Sequence, residues 1–314
     1  MNNDAKFSWQ RKSMKEILLS EYPPIKWAVP GVIPDGLTIV IGAPKDGKSL
    51  FALHLGTAAS HGGYFMGSIK VEQREVLYLA LEDNERRIKD RALKQGGLAN
   101  DKLFIETPRS WNGGIENLRK YLKEFPDTGL VMIDTMFKFS PIEDTNDYGK
   151  TYKAISTLQD IAIKQSIPIV LIHHTRKGSA EGEWADAGMG SRGINSAADT
   201  IILLKRNGKG AGTMTVKGRD VEEKAYSLSF NSEMCTWCIT GESELGMGDS
   251  RAQTEVLDIL STRGAEGMQT GHIAKALGKT SNTVLAALNQ LMKKGKASNI
   301  KHGIWAANSN IQFP

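Results

Sequence analysis

Apolar positions along this chain fall into short continuous runs, and between the runs they recur every three to four residues. From position 36 onward the two textures alternate. Residues 37–41, 75–81, 102–106, 130–133 and 168–172 predict strands, and 48–60, 84–95, 115–125 and 151–164 predict helices between them. Runs such as Leu-Val-Met-Ile at 130–133 and Ile-Val-Leu-Ile at 169–172 have no polar face, as strands buried on both sides do. The pattern implies an α/β core, a mostly parallel doubly wound sheet covered by helices.

After residue 200 the texture changes. Segments 201–204, 213–217 and 225–230 are separated by glycines and charged turns with no intervening helix, which predicts antiparallel strands extending the same sheet. Before the core, 13–20 predicts a short helix, and Pro23, Pro24, Pro30 and Pro34 then hold the chain extended or turning. Residues 1–35 are therefore expected to form an arm and 36–240 the core. The Gly/Ser-rich, acidic stretch 241–250 suits a linker. Residues 251–314 predict a second domain: helices over 252–262, 270–277 and 281–294, then strands at 297–300 and 304–307 joined by Lys301-His302-Gly303. Three helices and a hairpin in that order suit a winged helix.

With 314 residues, 40% of them hydrophobic, the chain can bury a substantial core. Residues 1–15 have no apolar signal region, and no run of about 18 apolar residues occurs. A cytoplasmic location with no membrane partner is expected. The cysteines, Cys235 and Cys238, supply half of the ligands a structural zinc needs and are read as reduced strand residues. Net charge is +5, and its placement matters more than its size. Residues 1–250 carry 32 basic and 32 acidic side chains, so the excess lies in the last 64, with 8 basic and 3 acidic.

The candidate chemistry centres on Gly42-Ala43-Pro44-Lys45-Asp46-Gly47-Lys48-Ser49, which fills G-x-x-x-x-G-K-[ST] between a strand and a helix whose first turn includes Leu50. Glycines let the backbone amides and the helix N-terminus face phosphates, Lys48 reaches the β- and γ-phosphates, and Ser49 holds Mg²⁺. ATP and Mg²⁺ are the expected ligands. Asp134 closes an apolar strand where a carboxylate is needed to hold Mg²⁺ through water, or ends it simply because Asp favours turns. Glu82 closes another and could orient and deprotonate the attacking water, or serve only as a first-turn acid. Asp83 beside it suits the N-cap of the following helix. His173 and His174 end the strand before the Gly-rich stretch, and one of them is a candidate γ-phosphate sensor.

Together these residues resemble the RecA-like hexameric replicative helicases, particularly the plasmid RepA-type and more loosely the DnaB and phage T7 group. The resemblance spans about residues 25–240. Its carriers are the P-loop, Tyr78-Leu79-Ala80-Leu81-Glu82-Asp83, Leu130-Val131-Met132-Ile133-Asp134-Thr135, Val170-Leu171-Ile172-His173-His174 with Lys177-Gly178, and Ser191-Arg192-Gly193. The stretch 199–207 is most similar to the phage type. The resemblance implies that Glu82 is the catalytic carboxylate and His174 the γ-phosphate sensor. It also implies that Arg206 enters a neighbouring subunit's site as an arginine finger, a match whose register departs from the plasmid enzymes. The larger helicases' N-terminal primase or primase-binding domain has no counterpart in it.

In that family the loop between His174 and Asp199 lines a central channel and tracks single-stranded DNA. Arg176, Lys177 and Arg192 are the phosphate candidates and Trp184 a stacking candidate, with Lys138 and Lys150 second; solvated disorder is the competing reading. In the C-terminal domain Asn282 lies on a polar helix face capped by Thr280 or Ser281. Lys279, Lys293, Lys294 and Lys301 stand around it, a pattern suited to duplex DNA or to a protein partner. The expected function is an ATP-dependent DNA helicase or helicase-like motor working as a homo-oligomeric ring of about six. A RecA-type DNA-binding regulatory ATPase and an RNA-directed motor are the rivals.

Overall fold

The structure, a computed structural model, describes residues 11–140, 148–174, 197–208, 210–243, 251–263, 266–293, 295–301 and 303–308. The chain begins with α1 (Met14–Leu19), a small hairpin of β1 (Trp27–Val29) and β2 (Ile33–Pro34), then β3 (Gly36–Gly42) and α2 (Lys48–His61). A second small hairpin, β4 (Tyr64–Phe65) and β5 (Ile69–Lys70), precedes β6 (Glu75–Ala80), α3 (Glu85–Lys94), β7 (Leu103–Glu106) and α4 (Ile115–Glu124). Next come β8 (Thr128–Asp134), α5 (Met136–Phe139), α6 (Tyr148–Gln165) and β9 (Pro168–His174). Four strands follow: β10 (Thr200–Arg206), β11 (Ala211–Gly218), β12 (Lys224–Asn231) and β13 (Thr236–Ser243).

One nine-stranded sheet organises this part, in the order β13-β12-β11-β10-β3-β9-β8-β6-β7. The six strands from β10 to β7 are parallel, and β11, β12 and β13 add antiparallel pairs beyond β10. The continuous apolar runs serve both faces at once. Val40, Met132, Val170 and Tyr78 belong to one core with α2, while Ile39, Val131, Leu171 and Leu77 belong to a second core with α4, α5 and α6. This is the expected α/β doubly wound core with an antiparallel extension.

Several boundaries differ from expectation. Asn84, not Asp83, caps α3: its side chain accepts from the Arg87 amide, and Asp83 instead pairs with Arg87 and Arg91. The stretch expected to be an arm is split. Helix α1 buries no residue, whereas Ala28, Val29, Val32 and Ile33 are fully buried in the core that holds α2. Cys238 lies in β13, but Cys235 sits in the preceding turn at φ 52°; both are free. His173 and His174 continue β9, and Lys205 and Arg206 remain paired inside β10. Gly241, Glu242 and Ser243 continue β13, and the rest of the expected linker, 244–250, lies outside the described residues.

The C-terminal segment contains α7 (Arg251–Arg263), β14 (Met268–Gln269), α8 (Thr270–Leu277), α9 (Ser281–Lys293), β15 (Ala297–Lys301) and β16 (Ile304–Ala307). Its three strands form an antiparallel sheet in the order β14-β16-β15. Val256, Leu260, Ile273, Leu288 and Trp305 build a core made only of this segment's residues. Among the described residues no helix is long and apolar enough to cross a membrane.

Candidate active site

Loop 43–47 leaves β3 and enters α2 without a side-chain cap, so the first amides of α2 stay free of intrahelical acceptors. Each motif glycine has a local reason. A Cβ on Gly42 would stand 2.4 Å from the Leu204 carbonyl oxygen of the neighbouring β10. Gly47 has φ 88°, and a Cβ there would stand 2.6 Å from Trp237 Nε1. Trp237 is buried in β13, and its Nε1 donates to the Asp46 carbonyl (3.2 Å). Asp46 Oδ2 accepts from the Ala43 amide (2.9 Å). The antiparallel extension therefore braces the loop from behind. Gln95, which donates to both Leu50 O and Cys235 O (3.1 Å each), ties α2 to the same hairpin.

Lys48 is 3% exposed and donates to the Gly42 and Ala43 carbonyls, 2.8 Å each. Burial lowers its pKa to about 8, against the pull of Asp46, Asp134 and Glu82. An ammonium held in a ring of backbone dipoles, with three carboxylates near it, is poised to exchange carbonyl partners for phosphate oxygens. Pro44 and Lys45 are exposed, and Ser49 and Leu50 are half-buried in the first turn of α2.

Asp134 ends β8 at 3% exposure. Its Oδ2 accepts from the buried Tyr78 hydroxyl (3.2 Å), while Oδ1 has no hydrogen-bond partner. Burial raises its pKa, and the nearby Ser49 hydroxyl favours the ionised form. A hydroxyl and a buried carboxylate oxygen without a partner are hard oxygen donors of the kind Mg²⁺ takes, with further positions left for phosphate and water. Ser49 and Asp134 thus fit that ion. Among the described residues no group of three or more His, Cys, Asp or Glu forms a metal cage.

Glu82, just past β6, is held on two sides. Thr135 Oγ1 donates to Oε1 at 2.7 Å, and His174 Nε2 stands 3.4 Å from Oε2. The histidine pair splits by environment: burial lowers His173 to about 4, so it is neutral near pH 7, whereas His174 faces Glu82. Glu82, Asp134, Lys48 and His174 thus converge beyond the C-terminal ends of the parallel strands, where ligands of such sheets bind.

Arg206 stands apart from that cluster. It is exposed, and its guanidinium lies over the Phe230 ring (4.4 Å to centroid) and near Trp237 (5.8 Å). Arg176, Lys177 and Arg192, with Trp184, lie outside the described residues, as do Lys294 and the side chains of Lys293 and Lys150. In the C-terminal segment Asn282 and Lys301 are exposed, while Lys279 is engaged with Glu255 at 3.0 Å. Thr280, not Ser281, caps α9 by accepting from the Thr283 amide.

Sequence reasoning missed Thr135, Tyr78 and Trp237 as parts of the site. Thr135 directly follows the strand-ending Asp134 and could have been flagged by that position. Trp237 carries no local signal, because the Asp46 carbonyl it meets is 191 positions away.

The family model described as AAA domain matches residues 9–180, more than half of the chain. Among solved structures, a KaiC-like protein from the hyperthermophilic archaeon Pyrococcus horikoshii OT3 is 16% identical. That match covers 68% of this chain and 93% of the other, with a TM-score of 0.47. The RadB recombinase is 19% identical over 66% of this chain and 91% of its own, also with a TM-score of 0.47.

Proposed function

The chain belongs to the AAA domain family, and from that premise we propose that it is an ATP-driven DNA motor, a helicase or helicase-like translocase that works as a ring of about six copies. As a RecA-like P-loop ATPase it binds nucleotide at loop 42–49. One observation carries the catalytic part of the proposal: Glu82 is aimed by Thr135 and His174 beside Lys48 and Asp134. Lys48 and the α2 amides bind the phosphates, and Ser49 with Asp134 would hold Mg²⁺, which supplies charge neutralisation at the phosphoryl oxygens when bound. Glu82 takes the proton of the attacking water, and His174 stands where a γ-phosphate can be sensed.

Two further features support a nucleic-acid track. The C-terminal segment has the helix and strand order of a winged helix, α9 exposes Asn282, Asn289 and Gln290, and Lys301 is exposed at the end of β15. The Gly-rich stretch after His174, with Arg176, Lys177 and Arg192, is the proposed single-strand contact. Arg206 is proposed to act on the neighbouring subunit's nucleotide, which requires it to leave its stack on Phe230 and Trp237.

ATPase rates with and without single-stranded DNA or RNA, followed by unwinding of a forked duplex, test the proposal. DNA-stimulated turnover with strand separation is expected. DNA binding without unwinding would instead favour a regulatory or recombination ATPase, and stimulation by RNA alone an RNA motor. For the shared site, Arg206→Ala and Glu82→Gln proteins, each inactive, should regain partial ATPase when mixed. No recovery despite demonstrated subunit exchange would defeat that part.

A further inference from the structure

At the free edge of the large sheet, the segments leaving β6 and β7 border a half-open cavity of about 520 Å³ between residues 83–86 and 107–109. It is not the P-loop crevice. Although Asp83 directly follows Glu82, none of residues 42–50, Glu82 or Asp134 lines the cavity. Its volume falls in the range of small-molecule sites.

The wall chemistry favours an anion. Arg86 and Arg109 line the cavity, both are exposed, and neither forms an ion pair among the described residues. Asp83 also lines it, but both its oxygens are taken by Arg87 and Arg91. With Asp83 neutralised, Glu85 is the one remaining carboxylate of the lining against Arg86 and Arg109. The N-terminus of α3 opens here as well. Asn84 occupies the Arg87 amide and leaves those of Glu85 and Arg86 without intrahelical acceptors.

The second, independent observation is Thr107. It is 2% exposed, it lines the same cavity, and its hydroxyl is a buried polar group with no hydrogen-bond partner. Leaving such a group unmatched costs stability, so an oxygen-rich ligand is the natural complement. We propose that this cavity is a second ligand site that takes a phosphate group, free or on a small organic molecule, clamped by Arg86 and Arg109 and accepting from Thr107 Oγ1 and the α3 amides.

The test is calorimetric titration of full-length Lys48→Ala protein, in which the P-loop is disabled, with inorganic phosphate and separately with glycerol 3-phosphate at low salt. One saturable site is expected, with a dissociation constant of about 1 mM or tighter. Tighter binding of glycerol 3-phosphate would identify an organic phosphate as the source, and equal binding the free ion. Adding Arg86→Ala with Arg109→Ala should weaken binding at least about tenfold. Thr107→Val should weaken it about tenfold while raising the melting temperature of the unliganded protein, because the unmatched hydroxyl is gone. In the otherwise unaltered chain the arginine pair should leave ATP binding at the P-loop unchanged. The proposal is overturned if neither compound gives saturable heat up to about 10 mM, or if either set of substitutions binds phosphate as tightly as the Lys48→Ala parent.

Discussion

Replacing Thr135 by valine removes one hydroxyl and little else, since a methyl takes its place at a position only 1% exposed. That hydroxyl donates to Glu82 Oε1 at 2.7 Å, while the other contact of the carboxylate, to His174, is longer at 3.4 Å. A hydrogen bond to a charged acceptor contributes about 1.5–3 kcal/mol. The Glu82 side chain is 37% exposed, so water replaces part of the loss and about 1–2 kcal/mol remains. Because the bond aims the carboxylate and does not touch nucleotide, the loss falls on turnover. At 1.36 kcal/mol per tenfold, kcat should drop about five- to thirtyfold with KM for ATP unchanged. Steady-state phosphate release, equilibrium binding of a fluorescent ATP analogue and a melting curve measure the three quantities. Thr135→Ser should restore turnover to within about twofold of the parent. A Thr135→Val protein with parental kcat, in a background where Glu82→Gln is inactive, would refute the positioning role. Parental turnover in Glu82→Gln itself would remove the base instead.

Lys48 predicts a proton linkage. Its folded pKa of about 8 lies below the ordinary lysine value, so between about pH 8 and 10.5 the unfolded chain holds the proton that the folded one has lost, and this group's contribution to stability rises with pH. Phosphate binding restores the charge, so calorimetry of ATP binding at about pH 9 should show proton uptake as a buffer-dependent heat, and at about pH 7 little; equal heats in all buffers at the higher pH would contradict it. Asp199 accepts from the Leu37 amide (2.9 Å), Gln159 Nε2 (2.6 Å) and Arg219 Nη1 (3.0 Å) at the start of β3. Asp199→Ala should lower the stability of the core by about 2–4 kcal/mol in urea unfolding without changing nucleotide affinity; a loss under about 0.5 kcal/mol would show that the latch is idle. Deleting residues 247–314 removes a segment with its own hydrophobic core, so the ATPase should stay folded while duplex binding weakens and loses salt dependence. Equal duplex affinity with and without the segment would assign it to protein contacts.

Much of this molecule is written in local pattern. The continuous apolar runs of β3, β8 and β9 announce two-faced burial, and their observed split between two cores follows from the two-residue period of a strand. The P-loop is legible because its chemistry is contiguous: eight residues carry the turn, the amides, the cation and the hydroxyl. Asp134, Glu82 and His174 are legible because strand ends in a parallel sheet all point at one crevice. Tertiary structure alone decided the rest. Which group holds Glu82 depends on β6, β8 and β9 standing in one order, with Thr135 and His174 brought from 53 and 92 positions away. The bracing of the P-loop by Trp237 requires the antiparallel extension beyond β10 to reach the loop after β3. The cavity lined by Thr107 exists only because β6 and β7 pair at the sheet edge. Local propensity is set within a few residues, whereas hydrogen bonds between distant segments are selected by the packing of the whole sheet.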